Sequence, residues 1–255
     1  MGRPLDQSEL RRRAIAGVGA EVEAFGSAAP GSLVVRREGL LAAVVPASPQ
    51  RSIFNSVFYE DPATLVAELD ALEALYESRA VRAWTVWVPD DDRETAALLG
   101  DRGHSLDAGP RAMAMELAGL GPAPPPPAGV SSGPLAAAAC AELNDRAYGY
   151  GADGFRAGFA GETAIRWHGA FAGDEPVGCV GTIAIGEDCC VTGVATPPEH
   201  RGRGIATWLM REALAAAREA GAASASLRAS RAGAPIYERL GFRDLGFLEM
   251  WERRR

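Results

Sequence analysis

Lysine is missing from the 255 residues: all 26 basic side chains are arginine. That absence excludes chemistry that needs a lysine amine, such as a Schiff base or a phosphate-binding P-loop. Cysteine and histidine are scarce. The four cysteines stand at 140, 179, 189 and 190 with no CxxC pair, and the three histidines at 104, 168 and 200. Zinc sites need nitrogen and sulfur ligands at close, clustered spacing, so no metal is expected. The longest apolar runs, GLLAAVVPA and PLAAAACA, fall well short of the roughly 20 residues that span a bilayer. The N-terminal stretch MGRPLDQSELRRRAIAG lacks the apolar core of a secretory signal. The expectation is a cytoplasmic protein without a membrane partner.

Basic charge is also in deficit. The formal net charge is −7, which argues against nucleic acid as the main partner. The content is 47% hydrophobic and 23% charged, as in ordinary globular proteins. The length suits one large domain or two modest ones.

Proline marks the boundary. The segment GLGPAPPPPAGVSSGP, residues 119–134, disfavours helix and central strand and reads as an extended connector. It divides the chain into residues 1–118 and 135–255. In the second part, PLAAAACAELNDRAYG reads as a helix that stops near Gly149. TAIRWHGAFA, VGCVGTIAIG and DCCVTGVAT alternate, are rich in Val, Ile and Thr, and read as strands in a meander. Adjacent Cys189 and Cys190 then alternate sides of a strand and read as small buried hydrophobes. PPEHRGRG leads into IATWLMREALAAAREAG, a helix with Ile205, Leu209, Ala213 and Leu214 on one face and a stop at Gly221. ASASLRAS, GAPIYERLG and FLEMWER follow as strand, short helix and strand.

The first part echoes this order: NSVFYED as a strand exit, PATLVAELDALEALYES as a helix, AVRAWTVWVP as a strand, then RETAALLGDRGH before a last strand. Gly103-His104 matches Gly241-Phe242. Two related units in tandem are expected.

The chemistry concentrates in VTGVATPPEHRGRGIATWLM. A strand ends at Val194, Ala195 and Thr196, and the chain enters a helix through Arg201, Gly202, Arg203, Gly204, Ile205, Ala206 and Thr207. The first N–H groups of a helix have no internal partner and carry partial positive charge. Glycines at 202 and 204 let the backbone approach a phosphate, and Arg201 and Arg203 can add forked hydrogen bonds.

This segment resembles the pyrophosphate-binding motif of the GNAT superfamily of acetyl-CoA-dependent N-acetyltransferases. That motif has Arg or Gln, two variable residues, Gly, one variable residue, then Gly or Ala, here Arg201, Gly204 and Ala206. VAT before it and IYERLGF at 236–242 resemble the family too. The resemblance covers about half the chain. It implies a GNAT-like mixed α/β fold: a mostly antiparallel sheet flanked by helices, in two tandem units here. It also implies acetyl-CoA as cosubstrate and an amine as acceptor. Val194, Ala195 and Thr196 match the splayed strand that meets the pantetheine arm, with a backbone N–H, that of Val194, aimed at the thioester carbonyl. Residues 201–207 match the cradle, and Ser230 matches a polar position near the cofactor. Tyr237 matches the tyrosine beside the thioester sulfur, as proton donor to the departing thiolate.

No general base is assigned. Glu187 and Asp188 precede the cofactor strand but also read as turn residues. His168 is a strand histidine that could face the acceptor, and His200 reads as a loop residue. Tyr148, Tyr150, Phe155 and Phe159 could line the acceptor site or fill the core. Residues 1–118 depart from the family, with Pro62-Ala63-Thr64 where the glycine loop would be and Leu99 at the position of Tyr237. This half is expected to be a degenerate repeat, with Phe54, Phe58, Tyr59, Trp84 and Trp87 packed in its core. Two other functions share some of these features. One is a CoA-binding sensor that does not catalyse. The other is an aminoacyl-tRNA-dependent transferase, which the acidic charge disfavours.

Overall fold

A computed structural model describes residues 4–151, 155–158, 161 and 163–255. The elements in chain order begin with helix α1 (Gln7–Gly26), strands β1 (Leu33–Arg37), β2 (Leu40–Val44) and β3 (Ser56–Tyr59), and helix α2 (Pro62–Ser78). Then come β4 (Ala83–Pro89), α3 (Arg93–Asp101), β5 (Ser105–Ala108), β6 (Arg111–Glu116) and β7 (Val130–Pro134). The remainder is α4 (Ala137–Tyr148), β8 (Arg166–Ala172), β9 (Glu175–Ile185), β10 (Asp188–Ala195), α5 (Ile205–Glu219), β11 (Ser224–Ala229), α6 (Ala234–Leu240) and β12 (Arg243–Arg254). No described helix is long and apolar enough to cross a membrane.

These elements form two compact units, neither of which is one stretch of sequence. One contains residues 1–17, 111–156 and 164–246, and the other 18–110, 157–163 and 247–255.

The first unit is built on the sheet β6-β11-β10-β9-β8-β7. Its single parallel pair is β10 with β11, joined by α5, because a parallel pair needs a crossover and a helix supplies it. The other neighbours run antiparallel. Alternation along β11 turns Ala225, Leu227 and Ala229 into a core shared with Ile205, Trp208, Leu209 and Leu214 of α5. Burial of these side chains contributes about 1.5–3 kcal/mol for each large one. On β10 both Cys189 and Cys190 are buried and unoxidised. Part of the expected connector joins this sheet: residues 130–134 pair antiparallel with β8, from Val130 opposite Ala172 to Pro134 opposite His168. Among the described strands β7 pairs only with β8, and an edge strand tolerates proline because one side needs no ladder donor.

The second unit repeats the plan. Its sheet runs β1-β2-β3-β4-β12, with β5 also on β12. Again one parallel pair, β3 with β4, is joined by one helix, α2. Leu65, Leu69, Leu72 and Tyr76 of α2 pack over Val57, Trp84 and Val86. Tyr76 stacks on Trp84 at 4.7 Å between centroids, and its hydroxyl donates to the Ala43 carbonyl. Trp84, Trp87, Phe54, Phe58 and Tyr59 are all buried.

The two sequence halves have exchanged a strand. The antiparallel neighbour of β11 is β6, which precedes the proline-rich segment, whereas β12, the last strand of the chain, pairs with β4 and β5.

Candidate active site at the mouth of the parallel pair

The pairing of β10 with β11 runs from Asp188 opposite Ser224 to Val191 opposite Leu227 and stops there, although β10 continues to Ala195. On its other side, β10 pairs through Thr192 and resumes at Ala195, so Gly193 and Val194 form an irregularity in the ladder. Gly193 carries it with φ +56°, and a Cβ there would lie 2.7 Å from the Trp167 ring. Glycine is required at this position on both counts. The strand therefore leaves its neighbour and opens a cleft.

Side chains hold the diverging backbone. The Gly193 carbonyl accepts from the Asn144 amide at 3.4 Å and the Cys179 thiol at 3.3 Å. The Val194 carbonyl accepts from the Tyr148 hydroxyl at 3.0 Å. Arg201 donates from Nε to the Thr196 carbonyl at 3.0 Å and from a terminal nitrogen to the Ala147 carbonyl at 2.6 Å. Arg201 thus spends part of its fork on the protein's own backbone.

After Thr196 the chain turns into α5, whose cap is Gly204 at φ +77° with no side-chain hydrogen bond. Gly202 has φ +75°, and a Cβ at either glycine would meet nothing within 4 Å. The first helical hydrogen bond recorded is from Trp208 N–H to the Gly204 carbonyl. The N–H groups of Ile205, Ala206 and Thr207 accordingly lack an intrahelical acceptor and add to the positive end of the dipole.

The cleft so formed measures about 750 Å³. It is lined by Val194, Ala195 and Thr196, by Arg201, Gly202 and Gly204, and by Ile205, Ala206 and Thr207. Ser230 and Tyr237 stand on its other wall with Arg239, and Ala147, Tyr148 and His200 complete the rim. Eleven of the twelve positions named from the sequence line this one cleft. Arg203 is outside that lining, its guanidinium 3.4 Å from the Ala128 carbonyl. The described lining is cationic or neutral, with Arg201, Arg239 and no carboxylate. Thr196 Oγ1 is buried in the wall without a hydrogen-bond partner. Open N–H groups, two glycines and arginine suit the oxygens of a pyrophosphate.

Tyr237 lies in the middle of α6, whose entry turn is closed by Gly233 N–H donating to Ser230 Oγ at 3.1 Å. Burial, and then the neighbouring Tyr148 phenol, push the Tyr237 hydroxyl above its ordinary value of 10.0. It stays protonated at neutral pH and can donate.

The other acid–base candidates lie elsewhere. Asp188 is buried and accepts from Ser224 Oγ at 2.5 Å and Ser226 Oγ at 2.6 Å, a structural tie between β10 and β11. The Glu187 side chain is 72% exposed beside Arg13. His168 contacts Thr182 Oγ1 at 3.1 Å, and burial, then Arg166, lowers its pKa. None of these three lines the cleft. His200 does; sequence reasoning placed it in a loop, and its position after Pro197-Pro198 was the available signal. Its Nε2 is 3.7 Å from Glu175. Tyr148, Tyr150 and Phe155 stack in series, with centroids 5.8 and 5.6 Å apart, while Phe159 lies outside the described residues.

In the second unit the corresponding helix entry is closed. Asp61 caps α2 by accepting from the Ala63 and Thr64 N–H groups, with Pro62 in the first turn. The Thr64 hydroxyl, then the Ala63 N–H, hold the Asp61 carboxyl below its usual range. The Asp61 carboxylate occupies the donors that an anion would need. Leu99, at the place of Tyr237, is fully buried.

Comparison with known proteins agrees with the geometry. Residues 164–244 match the acetyltransferase (GNAT) domain family. Its mixed α/β fold, with mostly antiparallel sheets flanked by helices, is shared with solved GNAT structures. It is 36% identical over 104 residues to an uncharacterized N-acetyltransferase of Streptomyces griseus, a match covering 37% of this chain and 24% of the relative. The chain thus spans about a quarter of the length of that curated relative. A GCN5-related N-acetyltransferase from Kribbella flavida shares the fold at TM-score 0.64 and 21% identity, over 94% of this chain and 95% of that one. A tandem GNAT protein from the clavulanic acid biosynthesis pathway aligns at TM-score 0.59 and 17% identity, over 98% and 97% of the two chains.

Proposed function

We propose that the protein is an N-acetyltransferase that binds acetyl-CoA in this cleft and passes the acetyl group to a primary amine of a small molecule or peptide. The observation that carries the reading is the single opening shared by the β10 irregularity, the uncapped start of α5 and Tyr237. Residues 201–207 would hold the pyrophosphate, and Val194, Ala195 and Thr196 the pantetheine arm, with Ser230 near the cofactor. Acetyl-CoA supplies an activated acyl group as a thioester.

In the proposed reaction the neutral amine attacks the carbonyl carbon directly, so no covalent enzyme intermediate forms. The C–N bond forms as the C–S bond breaks. The Val194 N–H faces the oxygen as it gains charge, an effect worth about 3–4 kcal/mol when one such donor is removed. Tyr237 gives its proton to the departing thiolate and is reprotonated from solvent. The amine's own proton leaves to water or to a base that is not assigned. Residues 1–118 serve as a degenerate repeat of residues 135–255 across the connector 119–134, supported by the matching β3-α2-β4 and β10-α5-β11 arrangements. A cytoplasmic location suits a CoA-dependent enzyme.

The test is thiol release from acetyl-CoA across a panel of primary amines. Release that depends on an amine, with the acetylated amine recovered, is the expected result. Binding of acetyl-CoA with no release from any amine would make the protein a sensor of CoA esters instead.

A further inference from the structure

One face of α4 is turned to the diverging end of β10. Asn144, Ala147 and Tyr148 are spaced i, i+3 and i+4, so they share a helix face. Each meets the segment between residues 193 and 201. The Asn144 amide points to the Gly193 carbonyl, the Tyr148 hydroxyl donates to the Val194 carbonyl, and the Ala147 carbonyl accepts from Arg201, which also holds Thr196. In an ordinary strand a neighbouring strand would take up these groups. Here β11 has departed after Leu227, and the ladder to β9 skips residues 193 and 194. Unpaired backbone next to a cleft would otherwise be free to relax.

Among these ties the Tyr148 bond is the one that both reaches Val194 and borders the cleft. The ring is itself steadied. It stacks on Tyr150 at 5.8 Å, which stacks on Phe155 at 5.6 Å with 14° between the planes. Gly149 ends α4 in the left-handed region at φ +70° and turns the chain so that residue 150 can fold back, its N–H on the Asp145 carbonyl.

We infer that Tyr148 is a positioning residue: through its hydroxyl on the Val194 carbonyl, it holds the β10 irregularity in the orientation that receives the acyl-pantetheine end of acetyl-CoA. This rests on the acetyl-CoA reading given above. The carbonyl of Val194 and the N–H of Ala195 belong to one planar peptide, so holding that oxygen fixes the backbone that follows Val194 and limits rotation of the peptide that precedes it. The device acts on the arm of the ligand and leaves the pyrophosphate cradle untouched, since the cradle is formed by residues 201–207 and the start of α5.

That division gives a binding test independent of turnover. Calorimetry on the full chain would compare wild type with Tyr148→Phe, which keeps the ring and its stacking. The two probes are acetyl-CoA and adenosine 3′-phosphate 5′-diphosphate, which carries the pyrophosphate but no pantetheine arm. Tyr148→Phe is expected to weaken acetyl-CoA by about tenfold, the scale of one hydrogen bond. The nucleotide should change by no more than about twofold. Equal losses for both probes would mean a general structural role and overturn the inference, as would no loss for either. A thermal melt of the variant alongside identifies a general loss directly. Failure of the wild type to bind acetyl-CoA would overturn the underlying reading as well, so the two failures are distinguishable.

Discussion

Asp61 and Gly204 hold the same position at two helix entries, the cap of α2 and the cap of α5, and they do opposite things there. The aspartate fills its helix's open N–H groups with its own carboxylate, while the glycine leaves them without a side-chain acceptor.

Replacing Gly204 with Asp should close the cradle. Aspartate is among the residues that tolerate φ near +77°, so folding should survive with a modest loss. Acetyl-CoA affinity should fall by at least about tenfold, from the carboxylate competing for the N–H groups and repelling phosphate. The converse change, Asp61→Ala, should cost about 1 kcal/mol of stability and create no binding site, because Pro62 stays in place. Isothermal titration and chemical unfolding check the pair.

Tyr237→Phe should lower kcat by about tenfold or more, a barrier change of about 1.4 kcal/mol. Because burial and Tyr148 raise the hydroxyl's pKa above 10.0, the donor is present across the working range. The wild-type rate should show no alkaline decline that disappears in the variant. An alkaline limb near pH 8–9 lost in Tyr237→Phe would contradict this assignment.

His104 should make the second unit acid-sensitive. It packs edge-on against Trp84 at 4.6 Å, and burial, then Arg253, lowers its pKa from 6.5 to about 4 against a smaller opposing pull from the Leu99 backbone. The folded state keeps the ring neutral where the unfolded chain takes up a proton. The stability this gives is present above pH 6.5 and is lost progressively as pH falls towards 4. Melting temperatures across that window should slope downwards, and His104→Gln should flatten the slope.

The four cysteines are free and buried. Burial pushes Cys189 up to about 12, and raises Cys140 and Cys190 as well. A thiol-specific reagent at pH 8 should titrate almost none in the native protein and all of them in denaturant, since the thiolate is the reactive form. Rapid native labelling of Cys140 or Cys179 would show that α4 lifts from β9.

Much of the first unit was legible because its signals are local. The alternating strands, the Gly149 and Gly221 stops and the glycine-arginine turn each lie within a few residues of what they specify. Helix α1 was not assigned from the sequence, and glycines at 17, 19 and 26 weaken the local helix signal there. Close packing explains two of them: a Cβ at Gly17 would sit 3.0 Å from Cys190 Sγ, and one at Gly19 would sit 2.9 Å from the Phe58 ring. Strand β7 was hidden by the prolines around it. The Tyr148 bond to Val194 could not be read, because it joins residues 46 apart with strands β8 and β9 between them. The strand exchange was likewise invisible, since a strand's sequence states which face is apolar but not which neighbour it takes.

The exchange bears on synthesis. The second unit contains most of the first hundred residues, yet β4, which meets β3 early, finds its other neighbour only in residues 248–254. At a translation speed of about 5–20 residues per second, an early-made β4 waits for about ten seconds or more with an unpaired edge. The open edge of β4, with Trp84 and Trp87 on the strand, is then exposed on the ribosome while the later unit is being made. Expression of residues 1–118 alone would prolong that interval indefinitely, so a cut at the proline-rich segment leaves an adhesive fragment and not an independent module.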